Sequence, residues 1–308
     1  MYLLWLGIGA AICCALFAFL LHSKKAGSAA QALLVLPIAV ILGTALSKLM
    51  YFICKISAVL PTYGLAALIR NNPNEFSFVG AAIGVVIAVI IVSRIFGKEK
   101  SAFLSAFAPA GALMIAIARF GEYMLGTIGV GNYIDAQSLC FFPLAMENEW
   151  HEWYAAVFML EGLLALICVM VSLISYLRGG KDVKHLFSRT VFYLCVPQII
   201  SESLRAVSMK WGFVRIEQVF CAFAALGIIL YNIILSGRKG LRAFFPFIGA
   251  ALCVILCVGV EFALDKTTLP NLLCYAVMLL ALCGMSAAEI FSVKYRKSAE
   301  SAGISAKA

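Results

Sequence analysis

Residues Phe76–Phe96 read FSFVGAAIGVVIAVIIVSRIF, 21 positions with a single charge, Arg94. A bilayer's hydrocarbon core is about 30 Å thick and takes roughly 20 apolar residues as a helix, so this stretch is long enough to cross it. Moving outward along the chain, eight more segments meet that length or come close: Tyr2–Leu21, Leu33–Ile53, Phe103–Ala118, Trp153–Leu177, Thr190–Val207, Val219–Ser236, Ala243–Leu264 and Asn271–Val293. The fourth in chain order, Phe103–Ala118, is the shortest and is interrupted by Pro109 and Gly111. Of the 308 residues, 64% are hydrophobic and 13% charged, with a mean hydropathy of +1.01. Soluble domains carry about 25% charged residues. That excess of apolar side chains rules out a soluble enzyme, a disordered chain and a secreted disulfide scaffold, because none could cover itself with polar groups. The expectation is an all-α polytopic transmembrane helical bundle of about nine spans.

The net charge of +9 is spread in ones to threes between the apolar runs and forms no dense stripe for nucleic acid. Lys24/Lys25, Arg94/Lys98/Lys100, Arg178/Lys181/Lys184/Arg189, Arg238/Lys239/Arg242 and Lys294/Arg296/Lys297 fall on every second connection, and Glu147, Glu149 and Glu152 on another. The bias of Lys and Arg toward the cytoplasmic side then predicts an outside N-terminus and a cytoplasmic C-terminus. Met1 lies almost against the first span, which is long for a cleaved signal. Ten of the 11 cysteines sit in or beside apolar runs, Cys140 alone in a long loop, and no CxxC pair occurs, so neither a disulfide framework nor a zinc site is expected. Two outward connections stand out. Residues 54–75 are expected to hold a short interfacial helix around Gly64–Ile69, and residues 120–152 form the longest loop, a length commonly functional.

Ionisable groups at bilayer depth cost at least about 2.5–3.5 kcal/mol each on insertion scales and point to function. Eight qualify: Lys48, Arg119, Glu122, Glu161, Glu202, Arg205, Glu261 and Glu289. Glu261 and Glu289 lie near span ends and are expected to reach the interface, and Lys48 to snorkel to the outer face. Glu202 and Arg205 are three apart, on one helical face. They are either a structural ion pair or one wall of a charged-headgroup site, with Arg119 and Glu161 on the same outer side. Gly80, Gly84, Gly121 and Gly126 would allow close approach of a helix or a lipid backbone.

Several ordered stretches resemble the prolipoprotein diacylglyceryl transferase family. ILGTALSKLMY from Ile41 to Tyr51 is similar to the family's IIGARLGYVLF, and SFVGAAIG from Ser77 to Gly84 to its SFHGGLIG. Ala108-Pro109-Ala110 followed by AIARFGEYMLG from Ala116 to Gly126 is similar to APA…AIGRIGNFINGE. Trp150-His151 through Leu160-Glu161-Gly162 fits the spacing of RHPSQLYEA..LEG, and PQIISESLR from Pro197 to Arg205 resembles FRFLIEFFR. The likeness covers about residues 33–230. It divides the chain into a transferase-like core, 1–236, two additional C-terminal spans, 237–297, and a disordered tail, 298–308.

The resemblance implies a multi-pass protein of the bacterial plasma (inner) membrane that moves diacylglyceryl from phosphatidylglycerol to a lipobox cysteine of a prolipoprotein signal peptide. It implies no cofactor and no metal. It places Arg119 and Arg205 as headgroup-binding cations, with Glu161, Gly121, Gly126 and Gly80 lining the site. Glu202 and His151 are the catalytic candidates: His151 as the histidine on the outward side, Glu202 as a base or as the residue that orients Arg119 or Arg205. Five polar positions of the family are replaced, by Ala45, Val79, Glu122, Thr127 and Gln198. Glu122 could pair with Arg119 and weaken a phosphate clamp. These losses keep a second reading open, a non-catalytic or repurposed relative that binds a phospholipid headgroup or a lipidated partner. A third is a transporter whose charges line a permeation path; no internal repeat supports it.

Overall fold

The computed structural model describes residues 1–70, 72, 75–126, 129–179, 181–211, 213–237 and 240–301. The protein is all-α and polytopic. Its long helices are α1 (Tyr2–Ser23), α2 (Ala29–Cys54), α4 (Phe78–Ile95), α5 (Lys100–Gly121), α6 (Val157–Arg178), α7 (Leu186–Leu204), α8 (Ile216–Leu235), α9 (Phe245–Lys266) and α10 (Asn271–Ser301). The short α3 (Ile56–Tyr63) continues into a 3-10 turn at Gly64–Leu68, so the 54–75 connection holds the helix expected there and another before it.

Among the described residues, eight helices are long and apolar enough to cross a membrane. A helix, α7, does cover most of the expected span Thr190–Val207, but Arg189, Gln198 and Glu202 leave it more polar than the rest, and it is not one of the eight. Two sequence boundaries are corrected. Pro109 and Gly111 do not interrupt α5, which runs unbroken for 22 residues, because neighbouring groups inside a membrane protein can accommodate the missing N–H. Trp153–Ala155 is not helical but a strand, β2, paired antiparallel with β1 (Ala145–Glu147). At the C-terminus, α10 continues through Ser301, four residues into the expected tail; residues 302–308, Arg238 and Lys239 lie outside the described residues.

The chain divides into two compact units, residues 1–121 with 165–187, and residues 122–164 with 188–308. In the first, α2 and α4 pack backbone to backbone. A Cβ on Gly80 would meet the Leu46 carbonyl oxygen at 2.5 Å, and one on Gly84 the Leu42 oxygen at 2.5 Å and Gly43 Cα at 2.7 Å. Ser77 caps α4 by accepting from the Gly80 N–H at 3.3 Å, and its own carbonyl accepts from Ser47 Oγ of α2 at 2.7 Å. On α1, Phe17 meets Phe103 and Phe107 of α5 edge-on, with centroids 5.1 and 5.5 Å apart. The second unit buries Phe192, Ile229, Met278 and Met285 among α7, α8 and α10, with α9 against α10. A second two-stranded turn, β3 (Lys210–Trp211) with β4 (Val214–Arg215), joins α7 to α8.

Candidate functional site

Four of the singled-out residues, Glu122, Glu161, Glu202 and Arg205, meet in the second unit. Glu161 projects from the second turn of α6, Glu202 from the last turn of α7, and Arg205 follows directly after α7 ends. The Arg205 guanidinium donates from Nε to Glu161 Oε1 at 3.1 Å and from Nη2 to Glu161 Oε2, a two-pronged grip on one carboxylate. Its Nη2 also donates to Glu122 Oε2 at 2.8 Å, and Glu202 Oε2 lies 3.6 Å from Nε. Gln198, one turn before Glu202 on α7, donates from Nε2 to Glu161 Oε1 at 3.0 Å. Glu122, Glu161, Glu202 and Arg205 are all buried.

The long loop holds this set in place. Gly131 forms an antiparallel bridge with Arg205; its N–H donates to the Ala155 carbonyl at 2.7 Å, and the Ala206 N–H donates to the Val130 carbonyl at 3.0 Å. Both glycines of this strand are there for space. At Gly131 a Cβ would meet the Leu204 oxygen at 2.6 Å, and at Gly129, with φ +87°, it would strike the Glu122 carboxylate. Arg215 closes the end of α7 from the other side, where helix carbonyls lack intrahelical partners. Its Nη1 donates to the Arg205 carbonyl at 2.7 Å and its Nη2 to the Ser203 carbonyl at 3.1 Å.

This chemistry favours positive charge over negative. One guanidinium faces three carboxylates, which engage its Nε and Nη2. Arg205 thus draws Glu122, Glu161 and Glu202 together.

The other singled-out residues lie elsewhere. In the first unit Arg119, 2% exposed, stacks its guanidinium over the Phe78 ring, 4.1 Å from the centroid. Gly80 is covered by α2, and Gly121 faces Trp5 and Tyr2 of α1, with the Trp5 indole donating to the Ile117 carbonyl at 2.7 Å. Both glycines serve helix packing on those faces. Gly126, φ +69°, ends a 3-10 turn in open space; Thr127 lies outside the described residues. His151 sits on the turn between β1 and β2, its side chain 88% exposed and its Nδ1 2.9 Å from Glu147 Oε1. It is far more exposed than the buried carboxylate set.

Three expectations about span-end charges change. Lys48 does not snorkel: it is buried, with Nζ 2.9 Å from Glu75 Oε2. That hydrogen bond, foremost among several influences, holds the Glu75 carboxyl below its ordinary range. Glu261 and Glu289 do not reach the surface either. Glu289 accepts from the Tyr193 hydroxyl at 3.3 Å, while Glu261 Oε1 accepts from Gln218 Nε2 at 2.7 Å and from Ser203 Oγ. Each finds a donor on a neighbouring helix, so the desolvation cost that drives snorkelling is offset in place. Glu75, Arg215 and Gln218 were not among the sequence candidates. Gln218, a polar residue at the mouth of an otherwise apolar run, was the available signal.

Among the described residues, no group of three or more His, Cys, Asp or Glu is arranged to hold a metal ion. The chain matches no protein-family model, and no curated protein sequence matches it.

Proposed function

We propose that this chain is a divergent membrane protein of the diacylglyceryl transferase type, acting on phosphatidylglycerol or a related phospholipid. Its site would open outward from a bacterial plasma membrane, with the N-terminus outside. One observation carries the reading. Five positions picked out by the resemblance, 122, 161, 198, 202 and 205, form one set of hydrogen bonds and ion pairs, buried except for the half-buried Gln198, although its members lie up to 83 residues apart. A chance likeness of glycine-rich and apolar strings gives no reason for those five side chains to meet.

In the proposed reaction the lipobox thiol loses its proton, its sulfur forms a bond to a glyceryl carbon, and that carbon's bond to the phosphate oxygen breaks, releasing glycerol phosphate. A thiol's ordinary pKa near 8.5 makes a base or a positive field necessary at neutral pH. Glu202, held beside Arg205, is the base this reading favours over the exposed His151. The resemblance implies Arg119 as the phosphate-holding cation, a planar fork that matches phosphate oxygens and stays charged.

Two observations favour the second reading, a relative that keeps the lipid and has lost the reaction: Arg205 is engaged by carboxylates, and Val79 stands in the place of the family's histidine. Transfer of labelled diacylglyceryl from phosphatidylglycerol to a lipobox peptide by the purified protein separates the two. The transferase reading expects turnover that falls about 100-fold in Arg119→Ala, the usual order for loss of a charge-stabilising group, and in Glu202→Gln, but persists in His151→Ala. Absent turnover, with phosphatidylglycerol binding that depends on Arg119, would establish the binder. Neither turnover nor binding would remove both.

A further inference from the structure

We infer that α9 closes a membrane-level binding site for an apolar chain bearing a hydroxyl head. The inference does not depend on the transferase reading, and the site involves a span outside the stretch that resembles the family. A cavity of ≈ 190 Å³ lies in the second unit among α7, α8 and α9. Its walls are apolar: Ile199 from α7, Ala222 and Leu226 from α8, Val254 and Val258 from α9. Phe223 and Val258, 68% and 38% exposed, stand at its rim, so it borders the lipid-facing surface. From Gln218 to Leu226 it follows α8 for about 12 Å at 1.5 Å per residue. At roughly 30 Å³ per water- or methylene-sized group, it has room for about six. That suits one end of a long chain and is too small for a whole lipid.

One end of the cavity is polar, and its composition selects the head. Gln218 and Glu261 line it. Most donors nearby are already engaged, but among the described residues the buried Arg215 Nε has no hydrogen-bond partner. Gln218 Nε2 donates to the Ile199 carbonyl at 2.8 Å, to Ser203 Oγ at 2.7 Å and to Glu261 Oε1. Ser203 Oγ donates to Glu261, and Arg215 spends both Nη groups on the α7 end and on Ser208, with its Nε 3.7 Å from Glu261 Oε2. A carboxylate has about four acceptor sites. Spare capacity at this end lies with Glu261 Oε2 as an acceptor and with Arg215 Nε as a donor, so the head that fits best both donates and accepts. Arg215 already sets a positive charge beside Glu261, which makes a neutral hydroxyl a better match than an ammonium. A long-chain alcohol or the free hydroxyl of a membrane glyceride has this chemistry.

The test uses the full-length protein in detergent and a diazirine-bearing 1-dodecanol, with labelled residues mapped by mass spectrometry. Labelling is expected on Ala222–Leu226 and Val254–Val258, competed by 1-dodecanol and about tenfold less well by dodecyl methyl ether, which cannot donate. Ala222→Phe, which fills the cavity, should abolish it. Val258→Phe, at the rim, repeats that test should the first variant not fold. Glu261→Gln should narrow the alcohol's advantage over the ether severalfold. Labelling spread evenly over the lipid-facing helices, or unaffected by both phenylalanines, would overturn the site. Equal competition by the ether, or tenfold better competition by dodecylamine, would overturn the hydroxyl assignment.

Discussion

The two units solve the problem of a membrane interior differently. The first brings helix backbones together through Gly43, Gly80 and Gly84, with Lys48 paired to a single carboxylate, Glu75, and Arg119 laid on an aromatic ring. The second pools its charges: Glu122, Glu161, Glu202 and Arg205 form one buried set, and Glu261 joins Gln218, Ser203 and Arg215 in another. Small residues give dispersion contact without polar groups and suit a scaffold. Pooled charges are costly to bury and persist where something uses them. The difference is one of polarity: backbone packing dominates the first unit, and networks of buried charge the second.

The largest expected effect lies in the pooled charges. Arg205→Ala would remove the cation that Glu161 and Glu122 share, a loss of about 3–5 kcal/mol of stability. Thermal unfolding of the detergent-solubilised protein would show it as a large drop in Tm, and Lys48→Met should cost clearly less. Equal losses would break the contrast. Next comes backbone packing: Gly84→Leu should destabilise by at least about 1–3 kcal/mol through overpacking against α2. Gly249→Ala, where nothing lies within 4 Å, tests the same unfolding assay without a clash and should leave Tm almost unchanged. A smaller effect is expected from pH. Because the Glu75 carboxyl is held below its ordinary value near 4.5, its ion pair with Lys48 stabilises the fold fully above that pH. The contribution disappears as pH falls through the lowered folded value. Unfolding followed from pH 6 down to 3 should therefore show a steeper loss in the native protein than in Lys48→Met. Smallest of all, His151→Ala should change stability by no more than about 0.5 kcal/mol, as for an exposed turn residue.

Apolar length alone made the helices legible, even α7, because a run such as Phe76–Phe96 admits no other structure in a bilayer. The ends were less legible. Trp153–Ala155 continues the apolar run yet forms a strand, since its backbone groups find partners in β1 and its cross-strand neighbours. Glu161, Glu202 and Arg205 were readable as charges at membrane depth, and the spacing of Glu202 and Arg205 placed those two on one face. What sequence could not give was partnership. Glu122 was weighed only against its neighbour Arg119, yet it also pairs with Arg205, 83 residues on, and that contact is made by tertiary packing. Lys48 and Glu75, 27 residues apart across a connection, were hidden for the same reason.

The strand around Gly131 has a consequence for how the protein can be watched. By sequence it is a glycine-bearing loop, the sort of segment whose amides exchange with solvent almost at once. Yet the Gly131 and Ala206 N–H groups are hydrogen-bonded in the ties between this strand, the β2 end and the end of α7. Those two amides can open only when that seam opens, and the seam holds Arg205 against its carboxylates. Their deuterium uptake is thus a built-in gauge, slow while the charge cluster is intact and fast once it lets go.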